Sequence, residues 1–576
     1  MSSRLLTPTS STSVSTVMTH PSVRRVLVTR MTAVGAGTHH PTRAMKPPTR
    51  AQGAPLSRSG RQCVMVNESW PETERTFDVD PATVLPTMLD VDGVARVGQA
   101  VEHELEAVYF DTVDLDLARR GVTVRRRTGG SDAGWHLKLP RVGDTRVEVR
   151  RPLGRATRTV PRPLLEPVRA LVRDRPLVPV ARILTRRQER ALLDADDAVL
   201  AHVCDDHVRT EQLHVGDQRD EWREWEVELV AGDDTLLDLA EELFREAGAR
   251  RAQASSKLAR TLGDHLPPAP SPPLRKKELR RSTAAAAVTH RLGRQVDRLL
   301  AQDRRVRAGE DGSVHKMRIA VRRLRSALKT YGPLFEDAAA TDSLAEELRW
   351  LGRALGPARD AQVLRERLTE LVAAEPDHLV LGPVAASIDD DLRAAERAAR
   401  EATLAALGDR RYFRLLDDLD ELVGAPAFTA EAGKPARKVF PRLLHRDAKR
   451  LRRSVKEVRR AAGGEKRDVA LHDARKKAKR LRYAAESMAP VLGRRADELA
   501  ASVKAIQQVL GRFQDTVMSR RVLRDHGARA HADGHNGFTY GRLHMLEEAS
   551  AEAAVREFDD AWARVSLKGL RRRLEA

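Results

Sequence analysis

Two cysteines in 576 residues, Cys63 and Cys204, leave no disulfide framework and no spaced metal-binding cluster. A reducing, cytoplasmic setting is therefore expected. No apolar run approaches the roughly 20 residues that cross a bilayer as a helix, so no membrane span is expected. Aromatic residues are only 4% of the chain. That scarcity removes the stacking platforms on which single-stranded nucleic-acid binders depend, and no helix-turn-helix with base-reading polar residues is apparent. Acids are missing from the first 67 residues, which are rich in Ser, Thr, Pro, Arg and Val and poorly periodic. Residues 1–65 are read as a disordered basic segment. A transit peptide or export signal fits that composition, and so does a stretch lying upstream of a true start at Met65.

What is present is positive charge: 102 Lys and Arg against 82 Asp and Glu, a net +20. Such a balance favours a polyanionic partner, whether polyphosphate, nucleotide, nucleic acid or an acidic membrane surface. The length suggests two to four domains. One boundary is explicit. LPPAPSPPL, from Leu266 to Leu274, holds five prolines that can continue neither a helix nor a central strand. Residues 266–279 are read as a stiff linker. Before it, short alternating runs separated by turn formers predict antiparallel strands. Residues at i and i+2 share a strand face, which groups Glu72 with Glu74, Arg125 with Arg127, His136 with Lys138, Arg146 with Glu148 and Arg150, and Glu226 with Glu228. A solvated outer face would give the same alternation. So would a sheet curled into a wet barrel whose lumen holds cations on carboxylates and phosphates on Arg and Lys.

ETE at Glu72, YFDT at Tyr109, VRRR at Val124, LKLP at Leu137, VEV at Val147, WEVEL at Trp225 and SSKLAR at Ser255 follow in an order that resembles the CYTH domain across residues 66–265. The resemblance implies a triphosphate tunnel metalloenzyme, a closed eight-stranded antiparallel barrel using magnesium or manganese. It implies Glu72, Glu74, Glu226 and Glu228 as metal ligands. It places Arg125, Arg127, Lys138, Arg146, Arg186 and Lys257, with the further tunnel acid Glu148, around the triphosphate. One position departs: Thr76 stands where the family's opening ExExK motif has Lys. A slower enzyme, a changed substrate, or a tunnel that binds without cleaving would follow.

After the linker the composition turns to Ala, Leu, Arg, Glu and Asp with helical periodicity. HKMRIAVRRLRSAL from His315 recurs as HDARKKAKRLRYAA from His472, 157 residues later. On a helix, His315, Arg318, Arg322, Arg325 and Lys329 fall within about 80° of arc, with Met317, Ala320, Val321, Leu324 and Leu328 opposite. His472, Arg475, Lys479 and Arg482 repeat the stripe in front of Ala474, Ala478 and Leu481, and Arg323 matches Arg480. The stripes contain almost no acids at i+3 or i+4, so their cations repel unless an anion binds. A solvated, ion-paired helix face is the plainer reading of any one of them. LGRALGPARDAQVL from Leu351 matches IQQVLGRFQDTVMS from Ile506, aligning Gly356 with Gly511 and Asp360 with Asp515. These glycines are read as a helix end followed by a cap. An internal duplication follows, with repeats at about 285–425 and 436–570.

This second part resembles the CHAD domain, a conserved-histidine α-helical domain, over residues 280–570. The resemblance implies polyphosphate contact by His315, Arg318, Arg322, Arg323, Arg325, Lys329, His472, Arg475, Lys479, Arg480 and Arg482. The expected whole is an α+β multidomain protein: an N-terminal antiparallel eight-stranded barrel, then an all-α bundle with internal duplication. Its expected role is polyphosphate binding, with a metal-dependent tunnel that hydrolyses inorganic triphosphate or, alternatively, holds it inertly. Nucleic-acid binding is the disfavoured second alternative.

Overall fold

The computed structural model describes residues 69–565 except 156–157, 215–217, 271 and 463, together with 567 and 570. The expected basic segment 1–65, with Cys63, lies outside the described residues.

Ten strands form the first part: β1 (Ser69–Val79), β2 (Arg96–Val97), β3 (Val101–Asp111), β4 (Thr123–Thr128), β5 (Gly134–Lys138), β6 (Thr145–Arg151), β7 (Val178–Leu193), β8 (Val199–Gln212), β9 (Arg219–Leu229) and β10 (Arg250–Arg251). Eight of them close into an antiparallel barrel in the order β1–β6–β5–β4–β3–β7–β8–β9 and back to β1. Closure depends on β1 dividing its length. Ser69–Thr73 pair with β6 and Glu74–Val79 pair with β9. Every long strand thus has two neighbours and no sheet edge is left bare. The β4–β5 turn is one that only glycine can make: Gly129 has φ +80°, and a Cβ there would collide with the Glu104 carbonyl.

Period-2 alternation decides what faces out. Phe77, Trp225 and Val227 turn outward and are buried under the helix Asp234–Glu246 through Leu236, Leu237, Ala240 and Phe244. On another side Phe110, Trp135 and Leu137 are covered by Leu164, Val168 and Val172 of the segment between β6 and β7. The helix Lys257–Leu262, capped by Ser256, packs Leu258 and Leu262 with Tyr109, Val180, Ile183 and Val208. With most apolar residues used outside, the charged alternates are left to the lumen, which they share with Leu105, Ala107, Tyr109 and Ile183.

Residues 267–270 and 272–275 form no helix or strand, in keeping with their prolines. Helices follow almost without interruption to Ala563. The two basic segments lie on the helices Ser313–Tyr331 and Gly464–Leu492, each preceded by a long partner, Ala284–Arg307 and Ala436–Arg460. All share one apolar core. The repeats differ in one instructive place. In the first, Pro357 sits in the opening turn of a new helix, Gly356–Ala373, after the helix Ala338–Ala354. In the second no proline interrupts, and Arg494–Ala532 runs as one helix of 39 residues. The reading of Gly511 as a helix end is therefore corrected: it lies mid-helix, and only Gly356 stands at a helix boundary. Barrel and bundle are joined by ion pairs. Arg173, 3% exposed, reaches Asp417 at 2.8 Å and also Asp420, while Arg175 binds Asp116 and, at 2.7 Å, Asp417.

Candidate active site and anion patch

The lumen holds a cavity of about 500 Å³. Its wall comes from the inward alternates of successive strands: Glu72, Glu74 and Thr76 on β1, Arg125 and Arg127 on β4, Lys138 on β5, Arg146 and Arg150 on β6, and Glu224, Glu226 and Glu228 on β9. Lys257 enters from its helix. Neighbouring registers bring opposite charges together. Glu72 lies opposite Arg146 across β1 and β6, and Lys138 opposite Glu148 across β5 and β6.

Carboxylates in this wall form two groups rather than one. The oxygens of Glu72, Glu74 and Glu228 lie within 4.8 Å of one another, and so do those of Asp206, Glu224 and Glu226. The four expected ligands are thus divided, Glu72, Glu74 and Glu228 in the first group and Glu226 in the second. Each group has its own electrostatics. Lys138 donates to Glu72 at 2.6 Å, and Arg146 donates to Glu72 and to Glu74 at 2.7 Å each. Burial alone would raise the Glu72 carboxyl, but Lys138 and Arg146 outweigh it and hold the group at about 2. Glu228 has no ion pair among the described residues, and burial together with Glu72 and Glu74 lifts it to about 7. A crowded trio of oxygens with one uncompensated carboxyl is a donor set that suits a hard divalent cation. The other trio is already answered by protein cations. Lys257 lies 2.5 Å from Glu224, 2.8 Å from Glu226 and 3.0 Å from Asp206, and Arg187 holds Asp206 at 2.7 Å and also binds Glu226.

Glu148 shares the β6 face but is buried below the lining, bound by His136 at 2.8 Å and Arg150 at 2.7 Å. Burial presses that histidine down to about 4, so it stays neutral at ordinary pH. Arg125 donates to the Tyr109 hydroxyl at 3.3 Å, and Arg127 is paired with Asp132. Arg186 is corrected. It is exposed on the outer face of β7, and the adjacent Arg187 is the side chain that enters the lumen with Ile183, Thr185 and Glu189. In the tandem Arg186-Arg187 either residue could face in, and only the pairing of the 16-residue strand fixes the phase. Glu224 was within reach, because it continues the Glu226–Glu228 alternation by one step. Asp206 and Arg187 carried no such signal. Thr76 faces the cavity opposite Glu226.

In the bundle the apolar sides of both basic helices are buried as periodicity requires. Their basic sides divide. Arg318, Arg322, Arg475 and Lys479 converge from the two helices; burial first, and then the neighbouring arginines, lower the proton affinity of Arg322, Arg475 and Lys479. Burial first, then Arg475, Arg322 and Arg318, lowers the Lys479 ammonium to about 7. Burial and three arginines, Arg359, Arg322 and Arg318, likewise push His315 down. Arg318 reaches Asp360 at 2.7 Å and the Gly356 carbonyl at 3.2 Å. Among the described residues Arg322, Arg475 and Lys479 have no ion pair. His472 lies 2.6 Å from Gln514. The remaining stripe cations are largely neutralised by other helices: Arg323 by Glu486 at 3.2 Å, Lys329 by Glu346 at 3.4 Å, Arg480 by Asp447 at 3.0 Å and Arg482 by Glu486 at 2.7 Å. The stripe expected to be bare along its length is thus bare only at its centre, with Arg325 also unpaired but apart from that centre. Glu346, Asp447 and, for Arg323, Glu486 come from other helices, where local spacing does not show them; Glu486 is i+4 to Arg482 on the same helix and was open to reading there.

Comparison with known proteins agrees with this division. The CYTH domain model matches residues 72–262 and the CHAD domain model residues 290–524. Two uncharacterized proteins of Mycobacterium tuberculosis, MT2285 of strain CDC 1551 / Oshkosh and Rv2226 of strain ATCC 25618 / H37Rv, are each 40% identical over 518 residues, covering 85% of this chain and 96% of theirs. Among solved structures, PptA from Streptomyces chartreusis shares 20% identity over 49% of this chain and 100% of its own, with a TM-score of 0.42. The CHAD domain from the plant Ricinus communis shares 21% over 53% of this chain and 98% of its own, with a TM-score of 0.34.

Proposed function

Because the chain belongs to the family that joins a CYTH domain to a CHAD domain, we propose that its tunnel takes a triphosphate with a divalent cation and hydrolyses the phosphoanhydride, while its bundle holds inorganic polyphosphate. The observation that carries the tunnel reading is one lumen in which a carboxylate trio, with Glu228 left without a cationic partner among the described residues, stands beside a wall of guanidinium and ammonium groups. Glu72, Glu74 and Glu228 would hold magnesium or manganese, which when bound neutralises phosphoryl oxygens and makes phosphorus more open to attack. Arg125, Arg127, Lys138, Arg146, Arg187 and Lys257 would bind the remaining oxygens and fix the chain end to end. To do so they must exchange carboxylate partners for phosphate, and the carboxylates so released are left free to meet the cation. Phosphate release from tripolyphosphate by the full chain, with and without each cation, is the test. Release that survives Glu72→Gln with Glu228→Gln would refute the assignment.

Thr76 favours a second reading. A lumen lacking the motif lysine gives less stabilisation to charge developing in the transition state than to the bound ligand. On that reading the tunnel binds triphosphate and turns it over poorly or not at all. Tight tripolyphosphate binding without phosphate release would select it. For the bundle, the facing Arg318, Arg322, Arg475 and Lys479 are the proposed centre of polyphosphate contact, flanked by His315 and His472.

A further inference from the structure

The helix Ala436–Arg460 has eleven Lys and Arg residues against two acids, Asp447 and Glu457. One side of it is core: Val439, Phe440, Leu443, Leu444, Leu451 and Val455 are buried. On the other side Lys438, Arg442, His445, Lys449, Arg452, Lys456 and Arg459 recur at alternating steps of four and three. That alternation tracks the helical turn, so the seven stay within about 100° of arc over about 32 Å of axis. All seven are exposed. Only Arg442 has an ion pair among the described residues, a long one of 3.4 Å to Glu431. The two acids serve other cations: Asp447 pairs with Arg450 at 2.8 Å and Glu457 with Arg460 at 3.1 Å. None of the seven is among the charges that act most strongly on Lys479 or Arg322.

We propose that this ladder is a second binding site for a linear inorganic polyphosphate chain, separate from the facing cations of the two basic helices. The proposal rests on the polyphosphate reading of the bundle. Cations three and four residues apart repel one another along a helix, and a row of them without acids is relieved by a row of anions. The shape selects the kind of anion. A convex helical ridge and a rigid nucleic-acid duplex touch over only a short length, whereas a flexible chain can lie along the whole ridge. Single-stranded nucleic acid would lack its stacking partners, since the ladder holds no Phe, Tyr or Trp, and no Asn or Gln stands ready to read a base edge. An anionic membrane would attract the ladder, but the helix's apolar side is committed to the core and inserts nothing. A polymer of bare phosphates asks only for the charges that are present. Held at two sites, one long chain would gain affinity through effective concentration.

The test uses the full chain and two variants. One carries Lys449→Glu, Arg452→Glu and Lys456→Glu. The other carries Arg322→Glu and Lys479→Glu. Binding of long-chain polyphosphate is measured by calorimetry across a salt series, with thermal unfolding as the check on folding. The ladder variant is expected to bind long chains at least about tenfold more weakly, with a salt slope shallower by roughly two. It should hydrolyse tripolyphosphate as the parent chain does. Unchanged long-chain affinity in the ladder variant, beside a loss in the other, overturns the ladder and leaves the facing cations as the sole site. If neither variant loses affinity, the polyphosphate reading of the bundle falls with it. Duplex DNA or anionic vesicles that displace polyphosphate at equal charge, and do so only through an intact ladder, also overturn the proposal.

Discussion

Lys138 and Lys479 are both lysines in a crowd of arginines, and they live in opposite ways. In the barrel, Lys138 lies 2.6 Å from Glu72, and the same carboxylate accepts from Arg146. In the bundle, Lys479 faces Arg475, Arg322 and Arg318, and the counter-charge that acts on it most strongly is Asp515. The barrel is self-neutralised: a buried charge without a partner costs several kcal/mol, so a closed lumen must bring its own counterions. The bundle centre is partly buried but open on one side, so its net positive patch is tolerated at the cost of a depressed Lys479. From this follows a difference in what each can bind. A ligand entering the barrel must bring cations that offset part of its charge, as a triphosphate with a divalent cation does, or displace carboxylates from the lumen's cations. A ligand of the bundle can arrive as a naked polyanion.

The comparison breaks most sharply if its two halves are not separable. Glu72→Gln with Glu228→Gln is expected to cut cation-dependent phosphate release roughly 1000-fold while polyphosphate binding by the bundle holds; loss of both together would show one site, not two. The converse variant, Arg322→Glu with Lys479→Glu, should weaken polyphosphate binding roughly 100-fold, with tunnel turnover intact. Next in size is Thr76→Lys. One added charge-assisted contact is worth about 1.5–3 kcal/mol, so kcat should rise about tenfold with KM little changed. A KM effect without a kcat effect would mean that position 76 meets ground-state substrate only.

The smallest expected effect is on pH. Lys479 is depressed to about 7, so in the free bundle it loses its proton as pH rises through neutrality. Its charge is present below that pH and absent above it. Polyphosphate affinity should therefore fall about threefold to tenfold from pH 6 to pH 8.5, in line with about 1 kcal/mol for one exposed-site contact. Lys479→Arg, which keeps its charge, should flatten the profile. A slope that persists in that variant would move the titrating group elsewhere.

The division into strands and helices was open to reading because each half obeys a single period. Alternation at two placed Glu72, Glu74, Lys138, Arg146, Glu226 and Glu228 on inward faces. Alternation near 3.6 placed Met317, Val321 and Leu324 in the core opposite the stripe. Where the local pattern is degenerate, reading failed. Arg186 and Arg187 are identical neighbours, and the strand's hydrogen-bond register alone sends the second inward. Gly511 and Gly356 sit in matching sequences, but Pro357 breaks one helix and its absence leaves the other whole.

Charge periodicity, the proline linker and the doubled histidine-led segment were the chain's own statement: two architectures, each with its cations gathered on one face, since side-chain spacing along one strand or helix is a local property. Which charges remain free is not local. Glu346 and Asp447 reach the stripe, and Glu486 reaches Arg323, only once helices pack, and the lumen acids separate into Glu72–Glu74–Glu228 and Asp206–Glu224–Glu226 only once β1 closes on β9. Electrostatic energy depends on distance through space and on burial, and both are set by folding.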